Sequence, residues 1–392
     1  MPLDPAKRSV YPQRPRRGGR DVRPQPGVGP CSFQEEAVAK SATVRFGIIG
    51  PGGAGRWRVR ELIKEPATQI VAAADTNSDC LDKLEADVGK PVQRFLGPDG
   101  YKKMIDTCGL DAVGVFSPHT LHFPHAMYAL EHGLHVLIEK PMVCGVGNAI
   151  ASAKLAAKKK LHYMITYQRH FEAKYVAARD LIREGKIGEV KSFYVYMAQD
   201  WPSPRIGWRG DPKFSGGGQL NDSGSHYQDI LLYMTGLLPA SVEGAWDMFY
   251  HGERAKVETN GSFCVTLSNG AAGRLIIIGD YIRGFTDDVR ILGSKGMIAM
   301  STADNLITLM RDGEPTIKIE AKLPPDYPPN PPANFVRLIT GQVKVNHVPA
   351  LFGAQVALLT DAMLLSGKTR KRADCAAILK KAGYSYKDIA IR

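Results

Sequence analysis

The sequence predicts an α/β protein with two domains: a doubly wound parallel sheet, followed by an α+β domain with a large open, mostly antiparallel sheet. Three observations lead to this fold class. Apolar runs alternate with helical segments over residues 41–166, which is typical of parallel strands joined by helices. Residues 167–349 contain β-rich runs punctuated by Gly, Asn and Asp, which favours antiparallel strands. A length of 392 residues suits two domains.

The first domain opens on residues 44–49, a short apolar run that ends at a glycine and therefore predicts a buried strand. Further strands are predicted at 69–74, 111–116, 135–138 and 162–167, and helices at 57–64, at 122–131 and up to 155–160. The carboxyl ends of parallel strands meet at one edge, where ligands bind. We therefore expect Gly50, Asp75, Ser117 and Glu139 to converge on one crevice.

A glycine-rich turn follows the first strand. Gly50, Gly52 and Gly55 match the pattern G-x-G-x-x-G, with Gly53 and Ala54 between them. The pattern requires glycine for a tight turn, for close approach of the backbone to a pyrophosphate, and for close packing of helix on strand. The next helix would direct its N-terminal amides at the phosphates. This turn therefore predicts a dinucleotide-binding site.

Asp75 ends the second predicted strand, 20 residues after Gly55. A carboxylate at this position accepts hydrogen bonds from the adenine-ribose hydroxyls. It also repels a 2′-phosphate, and residues 76–79 include no arginine. We therefore expect NAD in preference to NADP. The alternative for Asp75 is a polar turn residue at a strand end.

Three histidines, His119, His122 and His125, are spaced by three residues and suggest a metal site at first reading. Pro124 interrupts the segment, and no cysteine or carboxylate joins it locally, so we expect no metal. The residues expected to line the cofactor instead are those at and after the strand end, namely Ser117, Pro118, His119 and His122.

Glu139, Lys140 and Pro141 follow another predicted strand. A lysine at this edge can bind a substrate hydroxyl and lower the pKa of a neighbouring acid–base group. On spacing alone, a surface Glu–Lys pair before a turn is an equally good interpretation.

A second polar segment begins with three glycines at 216–218 and contains Asp222 and His226. Residues four apart share a helix face once the helix has begun, and residues 227–234 predict a helix. Histidine, with an ordinary pKa of about 6.5, suits proton exchange near neutrality. The alternative is an aspartate helix cap beside a core histidine.

The β-rich runs of the second domain flank this segment, and one face of their sheet is expected to cover the crevice. They span 190–198, 241–248, 262–267, 273–279, 288–292, 296–301 and 306–310. Residues 324–332 predict a proline-rich connector, and residues 350–392 predict a helix up to 365 and a basic tail.

The net charge of +12 is concentrated at the two ends of the chain. Residues 1–40 carry eight Lys/Arg against four Asp/Glu, a net of +4, and residues 367–392 carry eight against two, a net of +6. The remainder is near neutral, which argues against a nucleic-acid partner. Both ends are expected to be solvated, and the Pro- and Arg-rich residues 1–40 to be disordered.

The six cysteines are scattered without a CxxC pair, which favours a reducing compartment. No apolar stretch approaches the roughly 18 residues of a membrane span. The Arg16–Arg17 pair lacks the apolar segment of an export signal. We therefore expect a cytoplasmic protein with no membrane partner.

Taken in this order, the glycine turn, Glu-Lys-Pro and Gly-Gly-Gly…Asp-x-Gly-x-His resemble the Gfo/Idh/MocA family of sugar and polyol oxidoreductases over about residues 43–370. The resemblance implies a Rossmann domain that binds NAD, and a catalytic group of Lys140, Asp222 and His226. His226 would take a proton from a hydroxyl while hydride leaves the same carbon for the nicotinamide. Lys140 would bind that oxygen, and Asp222 would position the substrate or the imidazole ring.

The resemblance also implies the remaining site residues and the assembly. The residues that would line the crevice are Gln168 toward the cofactor, and Arg169, Trp208, Arg209, Tyr281 and Arg283 toward a sugar, cyclitol or glycoside. His119 stands where the family usually has asparagine. A homodimer or homotetramer paired through the open sheet is expected. Two alternatives remain: a redox-neutral, NAD-dependent enzyme that cleaves glycosides, and a non-catalytic dinucleotide sensor.

Overall fold

The computed structural model describes residues 43–202 and 207–391, without the side chains of residues 282 and 283. The predicted disordered extension at 1–40 lies outside the described residues. In the part that is described, two large sheets, a two-stranded sheet and flanking helices form one compact unit.

The first sheet contains six parallel strands in the order β3-β2-β1-β4-β5-β6 among the described residues. Its elements are β1 (Val44–Ile49), α1 (Gly53–Leu62), β2 (Thr68–Asp75), α2 (Ser78–Val88), β3 (Gln93–Leu96), α3 (Gly100–Thr107), β4 (Ala112–Val115), α4 (His122–Glu131), β5 (His135–Ile138), α5 (Val146–Lys158) and β6 (Tyr163–Ile165). The strand order reverses between β1 and β4, which is where a doubly wound sheet opens its ligand crevice.

The doubly wound prediction is confirmed, with differences at its edge. Phe46 and Ile48 of β1 are fully buried, as expected for a strand covered on both faces. The segment from α2 to α3 is not predicted from the sequence, because the edge strand β3 is mostly exposed and lacks an apolar pattern. Helix α1 begins at Gly53, four residues earlier than predicted, because glycine's low helix propensity conceals the start.

The second sheet has the order β16-β15-β14-β13-β7-β12-β11-β8-β17 in the described chain. Its elements, with the helices around it, are α6 (Ala173–Arg183), β7 (Val190–Asp200), α7 (Pro212–Ser215), α8 (Ser225–Thr235), β8 (Pro239–Asp247), β9 (Phe249–Tyr250), β10 (Glu253–Arg254), β11 (Asn260–Leu267), β12 (Ala272–Ile278), β13 (Asp280–Gly293), β14 (Gly296–Met300), β15 (Leu306–Arg311), β16 (Ile317–Glu320), α9 (Pro331–Ile339), α10 (Ala350–Thr369), β17 (Ala373–Asp374) and α11 (Cys375–Lys381). β9 and β10 pair separately, and β7 is parallel to β12 whereas the other pairs are antiparallel.

Strand β13 is longer than the predicted 288–292, because a shift of register between Asp280 and Phe285 interrupts its alternation. The proline-rich connector ends in helix α9, whose first turn accepts Pro331 because an N-terminal helix residue needs no amide hydrogen bond.

Helix α10 is, within the described residues, long and apolar enough to cross a membrane, but 72% of that stretch is buried inside the protein. It is therefore a core helix. The chain beyond it folds back: β17 pairs with β8, and Cys375, Leu379 and Ile389 are fully buried. The charge count, which predicts a solvated tail, overlooks these three apolar side chains among the lysines.

Candidate active site

The glycine turn between β1 and α1 is shaped by two different demands. A Cβ on Gly50, whose φ is +77°, would lie 2.7 Å from the Ser117 backbone, and a Cβ on Gly55 would lie 2.6 Å from the Gly50 carbonyl oxygen. A Cβ on Gly52 would meet only the Cys80 sulfur, at 4.0 Å. The first and third glycines are therefore required by packing, whereas the second leaves open space for a ligand.

The start of α1 is suited to an anion. No side chain among the described residues caps the helix, and its first turn contains no acidic residue. The first amides of a helix have no partner within it and attract phosphate groups. The uncapped amides and the space over Gly52 fit the diphosphate of a dinucleotide.

We expect Gly52→Ala to weaken NADH binding at least tenfold while changing the free energy of unfolding by no more than about 0.5 kcal/mol, because the new methyl group enters ligand space only. Gly55→Ala should instead destabilise the fold by about 1 to 3 kcal/mol, because its methyl group meets backbone. NADH fluorescence titration and urea unfolding measure both effects. Equal destabilisation by the two variants would contradict this interpretation.

A cleft of about 1120 Å³ opens beside the turn, at the carboxyl ends of β1, β2 and β4, and is lined in part by Asp75, Ser117, Pro118 and His125. Asp75 accepts a 2.9 Å hydrogen bond from the Asn77 amide. Burial raises the pKa of Asp75, with that hydrogen bond opposing. Burial lowers the pKa of His125 to about 4, so this ring is neutral near pH 7. The cleft thus offers the carboxylates of Asp75 and Asp99 among otherwise uncharged groups, which suits an adenosine.

A neighbouring cleft on the other side of the turn is lined by Gly52, Arg56, Arg60 and Lys83, among others. Arg56 and Arg60 both bind Asp87, at 2.6 and 2.8 Å. The search for arginines near Asp75 considered only residues 76–79. It missed Arg56 and Arg60 because they belong to helix α1, which precedes Asp75 in the sequence.

Lys140 and Asp222 meet where β5 ends and the polar loop before α8 begins. Lys140 Nζ donates to Asp222 Oδ1 at 2.8 Å. The other carboxylate oxygen, Oδ2, accepts from Trp201 Nε1 at 3.2 Å and lies 3.0 Å from Arg209 Nε. Burial by itself would raise the pKa of Asp222, but Lys140, His119 and Arg209 outweigh it and hold that pKa well below its usual range. Asp222 is therefore ionised at every physiological pH.

His226 lies in the first turn of α8, which begins at Ser225, so Asp222 precedes the helix and does not share its face. Asp222 makes no hydrogen bond with the His226 ring in the part of the chain that the structure describes. Burial lowers the pKa of His226 far below 6.5, and the charges of Lys140 and Arg169 lower it further against the opposing effect of Asp222. His226 is therefore a neutral imidazole. Its Nδ1 is buried without a partner among the described residues.

Glu139 is turned away from the cofactor cleft and into the protein. Its Oε2 accepts from Arg58 Nε at 2.9 Å and from Thr166 Oγ1 at 2.5 Å. Arg58, only 1% exposed, also approaches Gln168 Oε1 at 3.5 Å. Burial would raise the pKa of Glu139, but the Arg58 guanidinium outweighs it and the pKa lies below its ordinary value. The structure thus places Glu139 and Gln168 around a buried arginine that sequence inspection did not single out.

His119 and His122 lie between the strand ends and the segments predicted to be catalytic. The two ring nitrogens of His122 each lie 2.8 Å from a backbone oxygen, of Pro141 and Ser117. His119 Nε2 lies 3.8 Å from Asp222 Oδ1, and its ring stands edge-on to Trp208 with centroids 4.7 Å apart. Among the described residues, no group of three His, Cys, Asp or Glu is arranged to hold a metal. The Lys140–Pro141 peptide bond is cis.

The other predicted substrate residues differ in how close they lie. Arg169 is buried beside His226, where its Nη2 donates to the Tyr227 hydroxyl at 3.2 Å. Tyr281 is a half-buried residue of β13 in the second sheet. The side chain of Arg283 lies outside the described residues.

Asp229 and Trp201 are two polar neighbours of the predicted catalytic group that the sequence analysis missed. Asp229 is fully buried one helical turn after His226, and its Oδ1 lies 2.7 Å from His170 Nε2. Its spacing of three from His226 is a signal in the sequence, because such residues are neighbours on a helix. Trp201 has no such signal, since it reaches Asp222 across the fold.

A doubly wound sheet with a glycine turn at its switch point, next to a Lys–Asp pair and a neutral histidine, defines a dinucleotide-dependent oxidoreductase. Two family models match this chain: "Oxidoreductase family, NAD-binding Rossmann fold" over residues 44–167, and "GFO/IDH/MocA C-terminal domain" over residues 175–299. The protein belongs to the Gfo/Idh/MocA family of oxidoreductases, and its cofactor is the nicotinamide dinucleotide NAD(P).

The relatives include sugar and polyol enzymes. The dTDP-3,4-didehydro-2,6-dideoxy-alpha-D-glucose 3-reductase of Streptomyces antibioticus is 25% identical over 76% of this chain and 87% of its own. The inositol 2-dehydrogenase of Rhizobium meliloti is 25% identical over 66% of this chain and 75% of its own. The crystal structure of an inositol dehydrogenase homologue from Azotobacter vinelandii with NAD+ superposes with a TM-score of 0.75, at 18% identity, over 86% of this chain and 98% of that one, and so shares the fold.

Proposed function

We propose that this protein is a dehydrogenase that transfers hydride between NAD and a hydroxyl-bearing carbon of a sugar, cyclitol or glycoside. The observation that carries the proposal is the 2.8 Å Lys140–Asp222 pair beside a neutral His226, at the edge of the sheet where the cofactor cleft opens. The names of the relatives, an inositol dehydrogenase and a nucleotide-sugar reductase, support the substrate class.

The residues divide the proton chemistry between them. Lys140 binds the substrate hydroxyl oxygen and stabilises negative charge on it as its proton leaves. His226, neutral because of its burial, accepts that proton. Asp222 keeps the Lys140 ammonium group in place through their short ion pair. The dinucleotide would be held by the glycine turn, Asp75 and the Ser117–Pro118 segment, and its nicotinamide ring would supply the hydride acceptor.

The proposal also covers the division of the chain between cofactor and substrate, the location of the protein and its assembly. We assign the cofactor to residues 41–166 and the substrate to 167–349. The protein is cytoplasmic and forms a homodimer or homotetramer through the open face of the nine-stranded sheet. Half-buried side chains on that face, including the stacked pair Tyr194 and Tyr196, support an interface between copies.

The test is absorbance at the reduced-nicotinamide band, with NAD or NADP and a panel of sugars, cyclitols and glycosides, beside Lys140→Ala. A signal that the variant lacks establishes the dehydrogenase and its substrate class. Glycoside cleavage that needs NAD but forms no net NADH would favour the redox-neutral alternative. Cofactor binding without turnover of either kind would indicate a sensor.

The preference for NAD rests on Asp75. We expect Asp75→Ala to reduce the ratio of NAD to NADP affinity about tenfold, because a carboxylate that repels a 2′-phosphate is removed. Arg60→Ala, in the neighbouring basic cleft, is the matched control and should lower NADP affinity without affecting NAD. An unchanged ratio in Asp75→Ala would overturn the assignment. Fluorescence titration with each reduced dinucleotide measures it.

A further inference from the structure

The loop that carries Asp222 is fastened to a buried glutamate, Glu258, from a different part of the chain. Glu258 Oε1 accepts a 2.5 Å hydrogen bond from the Gly218 amide, and its backbone oxygen accepts from the Gln219 amide at 2.9 Å. The amides of Leu220 and Asn221 also face its carboxylate. Glu258 is 5% exposed. Its carboxylate thus sits in a nest of main-chain amides.

The glycines before Asp222 serve this contact. A Cβ on Gly218 would lie 1.9 Å from the Glu258 backbone oxygen, a distance no side chain permits. A Cβ on Gly217, whose φ is +156°, would lie 2.9 Å from the Asn221 Cβ in the same turn. Glycine at 218 lets the loop lie directly against Glu258, and glycine at 217 lets the turn close.

The turn held by Glu258 is also hydrogen-bonded to the backbone of Asp222. The amides of Asn221 and Asp222 both donate to the Gly218 carbonyl, at 3.2 and 3.0 Å. Gly218 therefore fixes the turn that precedes Asp222, and the side chain of Asp222 binds Lys140. Moving Gly218 would move Asp222, although Glu258 itself makes no contact with Asp222 among the hydrogen bonds of the described residues.

We propose that Glu258 is a positioning residue, which holds the 218–221 turn by its ionised carboxylate and so sets the position of Asp222 against Lys140. The positioning of the turn does not depend on the proposed function, whereas its effect on catalysis does. Protonation would weaken the nest, because a neutral carboxyl is a poorer acceptor for several amides than an anion.

The Glu258 carboxyl group, which makes this contact, titrates near neutral pH. Burial raises the pKa of Glu258 to about 7, with the surrounding amides opposing. Residues 217–221, which face the carboxyl, contain no titratable side chain. Asp222 stays ionised and His226 stays neutral through this range, so neither produces a transition there.

Trp201 offers a readout that needs no substrate, because its Nε1 donates to Asp222 Oδ2 at 3.2 Å. Tryptophan fluorescence is titrated from about pH 5.5 to 8.5 in the wild type, and the same titration of Trp201→Phe is subtracted to remove the other three tryptophans. We expect a transition centred near pH 7 that Glu258→Gln abolishes. Asp361→Asn removes a half-buried carboxylate that accepts the Val146 amide at 2.8 Å, and this control variant should retain the transition.

Kinetics on a substrate found in the panel provide the second measurement. Glu258→Gln should lower kcat about tenfold at pH 8, the loss expected for one charge-assisted contact, and leave the KM for NAD unchanged. A wild-type titration without a transition near pH 7, or one that Glu258→Gln retains, would overturn the proposal whether or not the protein is a dehydrogenase. The wild-type titration decides this even if the variant fails to fold.

Discussion

Replacing His226 by asparagine is expected to lower kcat by about 10² to 10⁴-fold, the range that general acid–base catalysis contributes. Burial and the charges of Lys140 and Arg169 keep the imidazole neutral, so the wild-type enzyme holds a proton acceptor in the crevice. Asparagine matches the polarity and approximate size of the ring but cannot accept a proton at physiological pH. The loss should therefore fall on kcat, whereas the affinity for NADH should stay within about twofold.

The matched control is His125→Asn, which alters a buried histidine in the adenosine cleft and not in the catalytic group. It should weaken NADH binding and leave kcat at saturating cofactor near the wild-type value. Steady-state kinetics and NADH titration distinguish the two variants. A His226→Asn enzyme with a wild-type kcat would remove His226 from the mechanism.

Replacing Arg58 by methionine is expected to destabilise the fold by about 3 to 5 kcal/mol, because it leaves the buried Glu139 carboxylate without its cation. Arg58 binds Glu139 at 2.9 Å, Glu61 at 3.0 Å and the Thr166 carbonyl at 3.1 Å. Arg60→Met, on the same helix, is the matched control. Arg60 is 55% exposed, so its ion pair with Asp87 contributes no more than about 1 kcal/mol.

The loss of stability in Arg58→Met is expected to increase as the pH rises. In the wild type the pKa of Glu139 lies below its ordinary value, so its ion pair contributes stability above that value and loses it as the pH falls. Without Arg58, only Lys140 and the Thr166 hydroxyl oppose the effect of burial, so the pKa of Glu139 rises and keeping Glu139 ionised costs stability as the pH rises. Urea unfolding should therefore show a larger destabilisation at pH 8 than at pH 5. An equal loss at both values would indicate that only packing is lost.

The sequence predicted the parallel sheet well because its evidence is local. The strand Val44–Ile49 and the helix His122–Glu131 have the predicted bounds, since an apolar run closed by glycine and a periodic segment closed by Gly133 specify their own ends. The mostly antiparallel second sheet is confirmed for the same reason. Elements whose burial depends on distant partners, such as the tail around Cys375, could not be predicted from charge.

The candidate site likewise combines residues that the sequence predicted with contacts that it did not. The glycine turn, Lys140, Asp222 and His226 were named from short motifs, because cofactor and proton chemistry restrict the residue types at adjacent positions. The sequence by itself determined the family, the cofactor class and these chemical groups. Only the tertiary structure decided their partners: Trp201 and Arg209 on Asp222, Arg58 beneath Glu139, and Glu258 under the glycines. These contacts join residues that are not neighbours in the sequence, and no local pattern encodes them, because burial and charge compensation depend on how the chain packs.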